Sequence, residues 1–179
     1  MVFVLNEPKM ASQPTKKTEV FLSLGSNIDP KENLNYACRE LKKTFGNIQL
    51  SSVYRNKPIG FVGNDFLNMV VKVTSTYSPN EILDCLRGLE AKTGRDIGTG
   101  AFDSRTLDID MILFGDLVHP EKPFKIPRND IERYSFVLCP LAEIEPDGIH
   151  PLIGKTFKDL WEDFDQEGHL LDKVSLDIQ

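Results

Sequence analysis

The sequence predicts an α+β domain in which an antiparallel β-sheet carries helices on one face. Three observations lead to this fold class: apolar residues alternate in several short segments, two helices begin at capping residues followed by proline, and the elements occur in the order βαββαβ. The chain has 179 residues, of which 40% are hydrophobic and 27% are charged, values typical of one globular domain. We expect a flexible N-terminal extension at residues 1–17 and a single domain at residues 18–179.

The first two elements are a strand and a helix. Residues 19–24 carry apolar side chains at every second position, which predicts a strand. Asp29 and Pro30 then supply an N-cap acid and a proline at the first helical position. Apolar residues recur at three- and four-residue steps up to Phe45, so we expect the helix to end at Gly46.

Two further strands come next in the chain. Residues 48–55 form a β-type segment, and residues 66–76 form a long segment with alternating apolar positions. In the longer segment, Phe66 and Asn68 lie on the face opposite to the apolar one. The apolar face consists of Leu67, Met69, Val71 and Val73.

A second helix and a last strand complete the core. The helix is predicted from Ser78 to Gly94, because Ser-Pro-Asn-Glu is an N-terminal capping signature and apolar residues follow at helical spacing. The strand covers residues 105–114, and Asp108 and Asp110 share one of its faces. The other face is predicted to consist of Leu107, Ile109, Met111 and Leu113.

The order βαββαβ is that of the ferredoxin-like fold, in which both helices cover one face of an antiparallel sheet. The residues that follow are richer in proline and charge, and short helices are expected near residues 131–137 and 157–164. We therefore predict a ferredoxin-like core with a C-terminal helical extension.

Charge and cysteine content argue against several classes of function. The chain has 21 Lys and Arg against 27 Asp and Glu, so its net charge of −6 gives no basis for nonspecific binding to nucleic acid or an anionic membrane. Cys38, Cys85 and Cys139 are far apart, which indicates free thiols in a reducing compartment rather than a disulfide framework or zinc site. No apolar run approaches the roughly 20 residues of a membrane span. We expect a cytoplasmic protein without nucleic-acid or membrane partners, acting as a monomer, with a dimer as the alternative.

Asp108 and Asp110 form a candidate metal site. Alternate residues of a strand point the same way, so the two carboxylates can share one or two hard divalent cations such as Mg²⁺. A solvated strand face is the alternative interpretation. Arg95 and Arg105 lie close in sequence, and arginine offers donors that match phosphate oxygens. Together, the acid pair and the two arginines indicate phosphoryl transfer.

Phe66 and Asn68 form a candidate site for a flat heterocycle. An aromatic ring can stack on such a ligand while an amide bonds to its edge. The alternative is a phenylalanine that covers the sheet and an asparagine that satisfies a loop. Glu90, at the edge of the buried stripe of the second helix, either supports a phosphate-binding loop or pairs with Arg87.

Several segments carry a resemblance when taken in order. They are FLSLGSN at 21–27, SSVYR at 51–55, DFLN at 65–68, RTLDID at 105–110 with LFG at 113–115, and FVLCPLAEI at 136–144. Their order and spacing resemble those of the 6-hydroxymethyl-7,8-dihydropterin pyrophosphokinase family of folate biosynthesis. The resemblance covers residues 20–156, and RTLDID followed by an apolar strand is its specific element.

The resemblance implies that the pyrophosphoryl group of ATP is transferred to the hydroxymethyl oxygen of the pterin, with release of AMP. Asp108 and Asp110 would hold two Mg²⁺ ions, while Arg95 and Arg105 would contact the phosphates and stabilise charge in the transition state. The residues that would bind the pterin are Gly25, Asn56, Ile59, Phe66, Asn68 and Phe136. Those that would bind ATP are Arg87, Glu90, Arg95, Arg105, Met111, Lys125 and Arg128.

The chain departs from the family pattern near the expected nucleotide side. Arg128 stands where many members have a histidine, Tyr134 stands where they have an arginine, and Ile97 stands where a basic residue is common. These departures leave open a pterin- or nucleotide-binding paralogue of low activity. A second alternative is a ferredoxin-like module that binds nucleic acid or protein through the open face of its sheet.

Overall fold

The structure of the chain, a computed structural model, describes residues 16–94 and 106–178. Most of the predicted N-terminal extension lies outside these residues. The strands are β1 (Thr18–Ser26), β2 (Ile48–Leu50), β3 (Val53–Asn56), β4 (Phe66–Ser75), β5 (Asp108–Phe114) and β6 (Asp172–Val174). The helices are α1 (Pro30–Phe45), α2 (Pro79–Lys92), α3 (Asp130–Arg133), α4 (Ser135–Ile144) and α5 (Phe157–Glu162).

One antiparallel sheet organises these elements. Its strands are hydrogen-bonded in the order β5-β1-β4-β3-β6, and β2 also pairs with β4. The predicted order βαββαβ is confirmed, although the segment predicted as one strand at residues 48–55 forms both β2 and β3. β6 was not predicted; it pairs with β3 and brings the C-terminal region to the edge of the sheet.

The two long helices begin differently. At α2 the predicted capping signature is confirmed, because the Ser78 side chain accepts a hydrogen bond from the Glu81 backbone N–H and the Glu81 carboxylate accepts one from the Ser78 N–H. At α1 the predicted N-cap position of Asp29 and the proline at the start of the helix are confirmed, but the Asp29 side chain does not form the cap. Asp29 adopts a left-handed conformation with φ of 42°, and its side chain makes no capping hydrogen bond.

α1 and α2 cover the same face of the sheet, as predicted. Their buried leucines, such as Leu41 and Leu86, pack against the apolar face of β1 and β4. The predicted apolar faces of both strands are confirmed, since alternate residues from Val20 to Leu24 and from Leu67 to Val73 belong to this cluster.

The apolar face of β5 differs from the prediction at one position. Leu113 was expected to share a face with Met111, but it packs in the cluster on the other side of the sheet. The pairing of β1 with β5 shifts register between Phe21 and Leu22, and this bulge interrupts the alternation of β5.

The C-terminal extension covers part of the opposite sheet face. Leu138 and Leu141 of α4 pack with Val70 of β4 and Ile112 of β5. The helix predicted near residues 131–137 is two helices, α3 and the longer α4, whereas the one predicted near 157–164 corresponds to α5. No helix within the described ranges is long and apolar enough to cross a membrane.

Candidate active site

A cleft of about 520 Å³ lies at the edge of the sheet formed by β5, and its lining includes residues of α2 and of the segment between β5 and α4. Every predicted site residue that the structure describes lines this cleft. They are Gly25, Asn56, Ile59, Phe66, Asn68, Arg87, Glu90, Asp108, Asp110, Met111, Lys125, Arg128 and Phe136. The two other predicted residues, Arg95 and Arg105, lie outside the described residues.

Strand register explains why residues distant in sequence meet in the cleft. Asp108 is paired with Gly25, and Gly25 is paired with Asn68. Residues paired across neighbouring strands point to the same face, and adjacent strands are about 4.8 Å apart. Asp110, paired with Ser23, lies in the next row on the same face. The acid pair and the Asn68 amide are therefore two strand spacings apart.

The Asn68 amide lies directly over Gly25. A Cβ atom at position 25 would be 2.7 Å from Asn68 Oδ1, closer than side-chain carbons normally approach. Asn68 is 5% exposed, and its Nδ2 donates a hydrogen bond to Asn56 Oδ1. Because Gly25 has no side chain, the buried Asn68 amide fits against it at the wall of the cleft.

Two aromatic pairs line the cleft. The rings of Tyr134 and Phe136 are stacked, with centroids 5.0 Å apart and planes at 16°. Phe66 contacts Phe61 edge to face, with centroids 6.2 Å apart. Each predicted aromatic residue is thus supported by a second aromatic side chain that also lines the cleft.

Arg128 connects the acid pair to α3. Its Nη2 atom is 3.2 Å from Asp110 Oδ2 and 2.7 Å from Asp130 Oδ2, and its Nε donates to Asp130 Oδ2 at 2.8 Å. Burial alone lowers the pKa of the Arg128 guanidinium, but the carboxylates of Asp110, Asp130 and Asp108 outweigh it and raise the pKa above its usual range. Arg128 therefore stays charged, and it already has carboxylate partners.

Glu90 fixes α2 to the acidic strand. Its Oε1 accepts a hydrogen bond of 2.9 Å from the backbone N–H of Ile109, the residue between the two aspartates. Arg87 was the alternative partner expected for Glu90, but it forms an ion pair with Asp84, with Nη1 and Oδ1 3.6 Å apart. Glu90 thus holds the backbone that carries the acid pair.

A family model described as 7,8-dihydro-6-hydroxymethylpterin-pyrophosphokinase matches residues 21–146. The chain belongs to this family.

Two named relatives match most of this chain. A 2-amino-4-hydroxy-6-hydroxymethyldihydropteridine pyrophosphokinase of Synechocystis is 38% identical over 148 residues, which cover 80% of this chain and 75% of the relative. An enzyme of the same name from Aquifex aeolicus is 35% identical over 144 residues, which cover 78% of this chain and 88% of the relative. The chain therefore spans most of the length of both pyrophosphokinases.

Solved structures support the fold. The structure of Plasmodium falciparum HPPK-DHPS with pterin and p-hydroxybenzoate superposes with a TM-score of 0.68 at 16% identity. The match covers 87% of this chain and 44% of the Plasmodium chain, so this chain corresponds to less than half of that longer protein. The predicted ferredoxin-like α+β fold is confirmed.

Three residues that line the cleft beside predicted ones were not predicted from the sequence. Phe61 and Tyr134 pair with predicted aromatic residues, and Asp130 binds Arg128. Tyr134 stands two positions before Phe136, but only the turn into α4 brings the two rings face to face. For Asp130, the one available signal was an acid two residues after an arginine predicted to bind ATP.

Other chemistry is not indicated by the described residues. Cys38, Cys85 and Cys139 are free, as predicted, and burial raises the pKa of the Cys38 thiol to about 12. Among the residues that the structure describes, no cluster of three or more His, Cys, Asp or Glu forms a metal site. The acid pair of Asp108 and Asp110 is therefore the metal candidate to be tested.

Proposed function

We propose that the chain transfers the pyrophosphoryl group of ATP to the hydroxymethyl oxygen of 6-hydroxymethyl-7,8-dihydropterin in folate biosynthesis. Membership in the pyrophosphokinase family carries this conclusion. The hydroxymethyl oxygen forms a bond to the β-phosphorus, and the bond from the β-phosphorus to the oxygen bridging to the α-phosphorus breaks. AMP leaves, and the hydroxyl proton is released.

Asn68, Phe66 and Phe136 form the proposed pterin site. The buried amide of Asn68 offers fixed hydrogen-bonding atoms for the edge of a ring, and Asn56 holds it in place. Phe66 and Phe136 line the same cleft and supply aromatic surface for the flat faces of the ligand. Gly25 and Ile59 complete the lining on this side.

The donor set of Asp108 and Asp110 fits Mg²⁺. Both residues line the cleft from the same face of β5, and Mg²⁺ is commonly bound by one or two carboxylates together with water and phosphate oxygens. We propose two ions at this pair. When bound, Mg²⁺ neutralises phosphate charge and fixes the phosphates in the geometry that the transfer requires.

The proposed ATP side lies around α2 and the segment after β5. Lys125 and Arg128 contribute cationic groups, and Arg87, Glu90 and Met111 complete the lining of the cleft. Glu90 acts through the backbone of β5, which it anchors. The roles of Arg95 and Arg105 at the phosphates rest on the sequence resemblance.

Three further expectations stay predictions: a cytoplasmic location, a monomer as the working unit and the absence of nucleic-acid partners. The first rests on the free cysteines, and the third rests on a net charge of −6.

The test is release of AMP from ATP in the presence of Mg²⁺ and the hydroxymethyl pterin. We expect Asp108→Asn and Asp110→Asn each to lower the rate by at least about 100-fold, because each removes one carboxylate of the proposed metal site. Asp116→Asn, at an exposed acid just beyond β5, is the matched control and should retain the wild-type rate.

The outcomes separate the alternatives. Wild-type turnover in either active-site variant would contradict the metal assignment. Binding of both substrates without AMP release would favour a paralogue of low activity. Salt-dependent RNA binding without metal-dependent ATP binding would favour a nucleic-acid module.

A further inference from the structure

We propose that Asp130 is a positioning residue for the pyrophosphoryl transfer, because it holds the guanidinium of Arg128 in the orientation that meets the ATP phosphates beside the acid pair. This inference rests on the proposed function of the cleft. It adds a residue that the resemblance does not assign, and it concerns the segment in which this chain departs from the family pattern.

The contacts of Arg128 are unequal. Asp130 Oδ2 accepts from both Nε and Nη2 of Arg128, at 2.8 and 2.7 Å, whereas Asp110 makes one longer contact of 3.2 Å with Nη2. Two donors on one acceptor fix the plane of a guanidinium, whereas a single contact leaves it free to turn. Asp130 therefore sets the orientation of Arg128.

The backbone of the segment is also anchored. The Arg128 N–H donates to the Ile112 carbonyl on β5, at 3.0 Å, and the Ile131 N–H donates to the Arg128 carbonyl, at 3.2 Å. Ile131 is fully buried. The backbone at Arg128 is thus fixed to β5, and the paired side chains of Arg128 and Asp130 project from a fixed segment.

The weaker contact is the one that must give way. Asp110 is a proposed metal ligand, and a cation bound to its carboxylate would repel the guanidinium. Arg128 can then release Asp110 while it keeps both bonds to Asp130. The guanidinium stays at the cleft wall in the same plane, and the Nη2 hydrogen that Asp110 releases becomes available to the phosphates. The carboxylate of Asp130 prevents Arg128 from following the acid pair or moving into solvent.

A purely structural role for Asp130 makes a different prediction. An acid in the first turn of a helix interacts favourably with the helix dipole, and its loss costs stability whatever residue is at position 128. α3 has only four residues, Asp130–Arg133, so this contribution is small. A positioning role instead makes the effect of Asp130 depend on Arg128.

The experiment measures the affinity of the full chain for α,β-methylene-ATP with Mg²⁺ by calorimetry. In this analogue the bond that the reaction breaks is replaced, so binding is measured without turnover. We expect Asp130→Asn to weaken binding about tenfold, because hydrogen bonds to charged groups contribute free energies of that order. Glu132→Gln removes the same charge two residues later on α3 and should bind as the wild type does.

A double-mutant cycle tests the mechanism. Arg128→Gln should also weaken binding, and Asp130→Asn should then add no further loss. Wild-type affinity in Asp130→Asn, or an equal loss in both backgrounds, would overturn the positioning role. If the wild type itself binds no Mg²⁺-nucleotide, the proposed function fails and this inference fails with it. Thermal unfolding checks that each variant folds, and Asp130→Ser replaces Asp130→Asn if that variant does not.

Discussion

Among the single residues of the proposed pterin site, Gly25 determines where the Asn68 amide can lie. Its hydrogen leaves room for the Asn68 amide, which lies where a Cβ atom would otherwise be 2.7 Å away. The amide is buried and bonded to Asn56, so it can move only at the cost of that bond. The glycine and the asparagine therefore form one unit, although 43 positions separate them in the sequence.

We predict that Gly25→Ala lowers the affinity for the pterin about tenfold, since a displaced amide loses roughly the free energy of one hydrogen bond. Binding of the Mg²⁺-nucleotide should change much less. Fluorescence titration with the pterin and calorimetry with the nucleotide measure the two affinities. An unchanged pterin affinity would show that Asn68 does not bind the ring.

Some site residues could be predicted one by one and others could not. Asp108 and Asp110 follow from strand alternation, which is a local property of the chain. Asp130 depends on the path of the segment after β5, which is set by the contact of Arg128 with Ile112. No periodic pattern in the sequence predicts the backbone path of that segment.

At the scale of elements, α2 and β5 carry the acidic side of the cleft. Glu90 joins the helix to the strand through the Ile109 N–H. Gly88 lies two positions earlier on an exposed part of the helix, and nothing lies within 4 Å of the place where its Cβ would be. The helix therefore contains a residue of low helix propensity without a steric reason for it.

We predict that Gly88→Ala raises the free energy of unfolding by about 0.5–1 kcal/mol, because alanine loses less conformational entropy than glycine in a helix. The melting temperature should rise by about 1–4 °C. Chemical denaturation measures the first quantity and thermal unfolding the second. A decrease in either would mean that Gly88 has a role that its open surroundings do not reveal.

The elements themselves were largely predictable, and the exceptions have physical causes. β1, β4, α1 and α2 have strong periodicity and were found. β6 has three residues, Asp172–Val174, and exists because β3 offers a free edge for pairing. The bulge in β5 follows from its pairing with β1, so alternation in one strand could not predict it.

At the scale of the whole molecule, Glu143 ties the C-terminal extension to the sheet. Its carboxylate accepts hydrogen bonds from the Ser52 N–H and hydroxyl, from the Tyr54 hydroxyl and from the Lys173 ammonium. These contacts join α4 to β3 and β6. Burial alone raises the pKa of Glu143, but the hydrogen bonds from Ser52, Lys173 and Tyr54 outweigh it and lower the pKa below 4.5.

A lowered pKa in the folded state fixes the sign of the pH dependence. The contribution of Glu143 to stability is complete above the ordinary pKa of 4.5 and is lost as the pH falls through the lowered value. We predict that Glu143→Gln lowers the free energy of unfolding at pH 7 by about 2 kcal/mol. It should also reduce the loss of stability on acidification.

Denaturation curves at several pH values measure this effect. Glu162→Gln is the matched control, because Glu162 is 62% exposed and its ion pair with Lys158 is 3.9 Å long. An identical pH profile for Glu143→Gln and the wild type would contradict the assigned role.

The sheet face that bears the acid pair was expected to be open, and α4 covers part of it. Sequence patterns did not predict this, because the apolar residues of α4 are nearly continuous and show no single face. The covering matters for function, since α4 brings Phe136 to the cleft opposite the strands that carry Asn68 and Asp108.

The identity of the reaction products shows whether the chain transfers a pyrophosphoryl group. Phosphorus NMR of the purified chain with ATP, Mg²⁺ and 6-hydroxymethyl-7,8-dihydropterin distinguishes transfer of two phosphates from transfer of one. We expect AMP and a pterin diphosphate ester in equal amounts. ADP with a pterin monophosphate, or ATP that stays intact while both substrates are bound, would contradict it.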